Sequence, residues 1–90
     1  MRRLHAKVYG RVQGVYFRAT TQRTANSLNV NGWVRNNPDG TVEVVAEGDK
    51  DALEQMLQFL QEGSPSAQVQ RVDDTWQKAT GTFDNFAIRG

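Results

Sequence analysis

Apolar and polar residues alternate from Leu4 to Val12, a pattern that predicts a β-strand with one buried face. The strand is expected to end in the glycine-containing segment 10–14. A first helix is predicted after it, because small or apolar residues recur at helical spacing at Phe17, Thr21, Ala25 and Leu28. Asn29 is expected to close this helix in a left-handed conformation. The first part of the chain therefore predicts a strand followed by a helix.

The middle of the chain predicts a β-hairpin. Two valine-containing strands, 30–36 and 41–48, flank the segment Asn37 to Gly40, whose proline and glycine are typical of a tight turn. A second helix is predicted to follow, with Asp49 at its N-cap and Gly63 and Pro65 at its end. Its apolar stripe is Leu53, Met56, Leu57 and Leu60. Two weaker strands, 68–78 and 85–89, complete the prediction.

The order strand, helix, strand, strand, helix, strand predicts an α+β fold. It is the βαββαβ order of the ferredoxin-like sandwich, in which two helices cover one face of a four- to five-stranded, mainly antiparallel sheet. We expect residues 1–90 to form one domain, because 90 residues leave no room for a second core.

Composition narrows the possible chemistry. The chain has no cysteine and a single histidine, His5, so neither a disulfide framework nor a metal site of the usual ligands is expected. No apolar run approaches the ~20 residues that a membrane helix needs, so a cytoplasmic protein without membrane contact is expected. Charge is unevenly distributed: seven basic residues precede Pro38, and all ten acidic residues follow it. This asymmetry either places complementary charged faces in one fold or marks an anion site in the first half.

The segment GRVQGVYFR, Gly10 to Arg18, is the strongest candidate for that anion site. Its glycines allow the backbone to turn successive N–H groups from about Val12 to Phe17 inward, beside the positive end of a helix. The guanidinium of Arg18 has the planar shape that binds two phosphate oxygens at once. The alternative is that the glycines only shape a turn and Arg18 extends into solvent.

The sequence resembles the acylphosphatases. GRVQGVYFR, followed by GWVRNNPDGTVEV at residues 32–44 and GSP at 63–65, is similar to the motifs of that family, and the match runs from about Lys7 to Arg89. The resemblance implies a ferredoxin-like hydrolase that cleaves the carboxyl–phosphate bond of acyl phosphates without a metal ion or cofactor. An acyl phosphate is then the substrate, inorganic phosphate is the product and a competitive inhibitor, and a monomer is expected.

The resemblance also implies residue roles. Arg18 and Asn36 correspond to the catalytic residues of the family, with Arg18 clamping the phosphate and Asn36 positioning water. The implied phosphate-binding residues are Gly10, Arg11, Val12, Gln13, Gly14, Val15, Tyr16, Phe17 and Arg18. Taken without the family motif, Asn36 also suits a turn residue, because asparagine before a Pro-Asp-Gly turn commonly bonds its own backbone. An acyl phosphate is already activated, so positioning and charge stabilisation are expected to suffice for catalysis.

Two other classes of protein share this pattern. RNA recognition motifs have the same topology, but the strand 41–48 has no aromatic residue and carries Glu43 and Glu47, which would repel phosphate. A domain that binds an anion without hydrolysing it differs from the enzyme only in turnover. Surface or packing roles are expected for His5, Trp33 and Trp76. The adjacent Asp73 and Asp74 are expected to point to opposite faces of a strand.

Overall fold

The computed structural model describes residues 1–89; Gly90, the last residue of the expected domain, lies outside the described residues. Its elements are β1 (Arg2–Arg11), α1 (Phe17–Ser27), β2 (Asn31–Asn36), β3 (Val42–Gly48), α2 (Lys50–Glu62), β4 (Gln68–Lys78) and β5 (Phe86–Arg89). The α+β fold predicted from the sequence is confirmed, including the short additional strand at the C-terminal end.

The strands form one sheet in the order β4-β1-β3-β2-β5. β1 lies in antiparallel register between β3 and β4, and the hairpin places β2 beside β3, with Asn36 opposite Val42. β5 is the exception, because it joins the edge of β2 in parallel, with Ile88 opposite Val34. The C-terminal strand therefore lies next to the strand that ends at Asn36.

Both helices pack on one face of the sheet and enclose the hydrophobic core. α1 covers β2 and β5, and α2 covers β1 and β4. The alternating residues of β1 that were predicted to be buried, Leu4, Ala6 and Val8, are fully buried in this core. The helices contribute Phe17, Ala25, Leu53, Met56 and Leu60. Each large side chain buried here stabilises the fold by about 1.5–3 kcal/mol.

Several local predictions hold, and one needs correction. Asn29 has a left-handed φ of 56°, and Gly63 ends α2 with a φ of 79°, as expected. β1 begins at Arg2 rather than at Leu4, because β3 and β4 continue to pair with it there. Asp49 occupies the N-cap of α2 as predicted, and within the described chain its side chain makes no capping hydrogen bond. Between residues 1 and 89, neither helix is long and apolar enough to cross a membrane.

Candidate functional site

The first two residues of the predicted phosphate loop belong to strand β1. Gly10 pairs with Val69 and Arg11 pairs with Gln68, next to a bulge that follows Tyr9. Glycine is required at position 10, where φ is +129° and a Cβ atom would lie 2.2 Å from the carbonyl oxygen of Gln68. The loop that enters the site therefore begins at about Val12.

The loop after β1 presents backbone N–H groups rather than acidic or basic side chains. Gly14 and Tyr16 have positive φ values of 72° and 60°, and Val15 between them does not. This alternation is the conformation in which consecutive N–H groups turn to the same side and form an anion-binding concavity. Within residues 1–89, the N–H groups of Gln13 to Tyr16 donate no hydrogen bond. The loop thus offers four successive donors just before the N-terminus of α1.

Three side chains brace this loop against the rest of the fold. Gln13 Nε2 donates to the carbonyl oxygens of Asn37 and Thr41, at 2.8 and 2.9 Å, and so ties the loop to the β2–β3 turn. The buried Ser64 hydroxyl donates to the Val15 carbonyl oxygen at 2.8 Å. Thr20 donates to the Tyr16 carbonyl oxygen from both its N–H and its hydroxyl, at 3.0 and 2.9 Å. The loop is therefore fixed in position by its surroundings.

The contact between Ser64 and the loop is one that sequence reasoning missed. The sequence interpretation used Gly63 and Pro65 to end α2 and used GSP as part of the family motif, but it assigned no role to the serine itself. In the structure Gly63 stops the helix so that Ser64 lies beneath the loop, where it is buried. The GSP part of the family motif was the signal that pointed to this position.

Arg18 and Asn36 lie on the wall of one cavity of about 410 Å³, although 17 residues separate them along the chain. Arg18 is partly buried in the first turn of α1, and Asn36 is the last residue of β2. The full lining of the cavity is Val12, Gly14, Tyr16, Phe17, Arg18, Ala19, Asn36 and Ile88. Among these described lining residues, Arg18 alone carries a charge, so the cavity is suited to an anion.

The side-chain carbonyl of Asn36 is a buried acceptor that lacks a partner. Its Oδ1 atom is shielded from solvent, and no group of residues 1–89 donates a hydrogen bond to it. A buried polar atom in this condition costs about 1–3 kcal/mol. The neighbouring Asn37, by contrast, donates from Nδ2 to Thr41 Oγ1 at 3.1 Å, as a turn residue does. The two adjacent asparagines are thereby distinguished by the structure.

The turn that follows Asn36 is held by a carboxylate. Asp39 Oδ1 accepts hydrogen bonds from the hydroxyl and the N–H of Thr41, at 2.6 and 3.0 Å, and its Oδ2 lies 3.2 Å from Lys7 Nζ. The bonds from Thr41, with a smaller contribution from Lys7, lower the pKa of Asp39 to about 2. Asp39 therefore stays ionised at neutral pH, and the turn keeps its shape.

The remaining predicted phosphate residues do not line the cavity with their side chains. Gly10 and Arg11 are in β1, Gln13 reaches the hairpin turn, and Val15 is buried in the core. Sequence reasoning missed two residues that do line the cavity, Ala19 and Ile88. The position of Ala19 directly after Arg18 in the chain was the available signal for this residue. The parallel pairing that places Ile88 has no comparable local signal.

The other polar candidates lie outside this cavity. The Nε2 atom of His5 is 2.6 Å from a carboxylate oxygen of Glu43, on the sheet face that the helices leave open. The guanidinium groups of Arg35 and Arg89 each lie 5.1 Å from the centre of the Trp33 ring. Across residues 1–89, no three histidine, aspartate or glutamate side chains are grouped closely enough to hold a metal ion.

The fold and the cavity define an α+β protein of the ferredoxin-like class, with its functional pocket where the first strand meets the first helix. The family model described as "Acylphosphatase" matches residues 4–88. An acylphosphatase of Pelotomaculum thermopropionicum is 48% identical over 86 residues, which cover 96% of this chain and 94% of that relative. An acylphosphatase of Methylococcus capsulatus is 47% identical over 88 residues, covering 98% and 96%. The crystal structure of acylphosphatase from Bacillus subtilis covers 100% of both chains with a TM-score of 0.96 and 36% identity.

The chain belongs to the acylphosphatase family. It is a hydrolase of acyl phosphates, as the resemblance of its motifs implied.

Proposed function

We propose that the cavity between the β1–α1 loop and the end of β2 is the active site and that its parts have separate roles. The backbone N–H groups from Val12 to Phe17 and the guanidinium of Arg18 hold the phosphate, and Asn36 positions the attacking water. Gly10 and Arg11 hold the start of the loop through their pairing with β4. The observation that carries this proposal is that Arg18 and Asn36 line one cavity beside the loop, and that the buried Oδ1 of Asn36 receives no hydrogen bond from residues 1–89.

The proposed mechanism requires no covalent intermediate. A hydrogen bond with the side-chain amide of Asn36 holds the water oxygen in line with the bond from phosphorus to the carboxylate oxygen. As the water attacks, that bond breaks and the carboxylate leaves with the bonding electrons. The proton of the water passes to a phosphate oxygen, so the products are carboxylate and inorganic phosphate. The loop N–H groups and Arg18 stabilise the negative charge on the phosphoryl oxygens of a loose transition state.

The oligomeric state and the cellular location of the protein belong to the same proposal. We infer that residues 1–90 act as one monomeric domain in the cytoplasm, where the substrate is a small acyl phosphate and no nucleic acid is bound. The composition of β3 supports the last point, because this strand has none of the aromatic residues on which RNA recognition motifs stack bases. Light scattering of the purified protein tests the monomer, and cell fractionation tests the location.

A hydrolysis assay with benzoyl phosphate, with and without a chelator, tests the activity. Turnover that the chelator leaves unchanged is expected, whereas binding of phosphate without turnover would indicate an anion-sensing domain. Arg18→Ala is expected to weaken competitive inhibition by phosphate at least ~10-fold and to lower turnover as well. Arg23→Ala is the matched control, because Arg23 is exposed further along the same helix.

A second pair of variants tests the role of Asn36. Asn36→Ala is expected to lower turnover at least ~10²-fold while leaving phosphate inhibition largely intact, because the lost amide contacts water rather than phosphate. Asn37→Ala is the control, and it keeps the backbone carbonyl that Gln13 contacts. Near-wild-type turnover in Asn36→Ala would exclude the water-positioning role.

A further inference from the structure

Few large apolar side chains are exposed on the described surface, and two of these side chains line the cavity. The exposed large hydrophobic residues of the described chain are Met1, Tyr16 and Ile88. Tyr16 is 82% exposed and Ile88 is 42% exposed, and both line the cavity that contains Arg18 and Asn36. Exposed apolar surface gathered at a pocket points to an apolar ligand group.

The position of Tyr16 is unfavourable for the chain taken alone. A bulky residue with a φ of 60° is strained, and an aromatic side chain left exposed gains little from packing. The double hydrogen bond from Thr20 to the Tyr16 carbonyl holds this conformation in place. Strain that the surroundings maintain is characteristic of binding and catalytic sites.

Ile88 reaches the cavity because of the parallel pairing of β5 with β2. Ile88 lies opposite Val34, which is fully buried on the helix-covered side, and Asn36 follows two residues later on the same face of β2. One apolar wall of the cavity is thus carried on the strand beside the proposed water-positioning residue. Together with Ala19 and the ring of Tyr16, it borders the cavity next to the phosphate loop.

We infer that Tyr16 and Ile88 form the acyl-binding part of the site, and that the preferred substrates are acyl phosphates whose acyl group is an extended alkyl chain or an aromatic ring. This inference rests on the proposed function, because it takes the phosphate loop and Arg18 as the place of the phosphoryl group. The acyl group then extends from the phosphate toward the apolar side of the same cavity.

The expected preference can be estimated from the exposure of the site. Complete burial of a methylene group strengthens binding about fourfold. The cavity is open to solvent, so about half of each methylene is buried and a twofold gain per methylene is expected. Acetyl, butyryl and hexanoyl phosphate have leaving groups of similar basicity, so the series isolates the acyl contact from the intrinsic reactivity. The kcat/KM of hexanoyl phosphate is expected to exceed that of acetyl phosphate about 16-fold.

The experiment compares this ratio in the wild-type protein, in Ile88→Ser and in Tyr16→Asn. Asparagine tolerates the left-handed conformation, so the second variant removes the ring without adding backbone strain. Each variant is expected to lower the hexanoyl-to-acetyl ratio about threefold or more, and Ala87→Ser, on the same strand but outside the cavity lining, is expected to retain it. General damage to the phosphate loop would lower both rates equally and leave the ratio unchanged, a result that would overturn the inference.

A measurement on the wild-type protein alone keeps the inference testable if a variant fails to fold. Competitive inhibition by methyl-, butyl- and hexylphosphonate is expected to strengthen with chain length, by the same twofold per methylene. A flat series for both substrates and inhibitors, with acetyl phosphate still hydrolysed, would overturn the acyl-binding role and leave the proposed function intact. Absence of turnover with every acyl phosphate would overturn both.

Discussion

Removing the side chain of Gln13 tests whether the phosphate loop depends on its attachment to the hairpin turn. In Gln13→Ala the two hydrogen bonds from Nε2 to the carbonyl oxygens of Asn37 and Thr41 are lost. Neither carbonyl is left without a donor, because Gly40 N–H still bonds to Asn37 at 3.1 Å and Asn37 N–H to Thr41 at 2.8 Å. The variant therefore measures the loss of the attachment itself rather than the cost of an unpaired buried group.

The expected magnitude follows from the two bonds. A neutral hydrogen bond contributes about 0.5–1.5 kcal/mol to stability, so the pair contributes about 1–2 kcal/mol when some compensation by water is allowed. We expect the free energy of unfolding to fall by about that amount. Binding of phosphate must then order the loop, so the inhibition constant is expected to rise about 5- to 30-fold.

Two measurements and two further variants make the test specific. Urea unfolding followed by tryptophan fluorescence gives the change in stability, and inhibition of benzoyl phosphate hydrolysis gives the phosphate affinity. Gln58→Ala, on the exposed side of α2, is the control and is expected to change neither value. Gln13→Glu replaces the donor by a carboxylate that faces two carbonyl oxygens, and it is expected to bind phosphate more weakly than Gln13→Ala. Phosphate inhibition of Gln13→Ala within twofold of the wild type would refute the role of Gln13 as a brace.

Three further predictions concern stability. Burial would raise the pKa of Glu47, but hydrogen bonds from the Thr80 N–H, Arg3 and the Gly81 N–H outweigh this effect. The pKa of Glu47 therefore lies below its ordinary value of 4.5. Above that pH the ionised carboxylate stabilises the fold. Urea unfolding should show the wild type losing stability as pH falls through the lowered pKa, and Glu47→Gln should show a shallower loss; parallel pH profiles would contradict this. Tyr16→Asn should raise the free energy of unfolding by about 0.5–1 kcal/mol by relieving the left-handed strain, and a decrease would argue against that strain. Gly32→Ala should lower the free energy of unfolding by about 3 kcal/mol, because the added Cβ would lie 1.9 Å from the Val45 carbonyl oxygen. Gly40→Ala should lower it by only about 1 kcal/mol, because the space around residue 40 is open. Equal losses of stability in urea unfolding would contradict the steric argument.

Much of the fold was predictable because it depends on local periodicity and turn residues. The alternation in β1 identified its buried face, and the bounds of β4 and the hairpin were predicted to within one residue. The predicted β1 missed two N-terminal residues, since the charged pair Arg2 and Arg3 carries no apolar alternation. Their pairing with β3 and β4 is a long-range contact that a local pattern does not contain.

The site was predictable in part. The motifs located Arg18 and Asn36, and the structure places both at one cavity. The role of Gln13 as a brace depends on the approach of the hairpin turn, and the contribution of Ile88 depends on the parallel pairing of β5. Both follow from the tertiary arrangement of segments distant in sequence. Sequence reasoning therefore identified the chemical groups, whereas the contacts that hold them and the apolar wall required the structure.

The two outer strands of the sheet bear on how the folded chain behaves at high concentration. β5 has only four residues, so it presents few free backbone groups along its outer edge. β4 has eleven residues, but Arg71, Asp73, Asp74 and Lys78 place charges of both signs along it. Short length and charge are two of the features that keep edge strands from pairing with another molecule. The sheet therefore carries its own protection against growth into aggregates, independently of the pocket at its end.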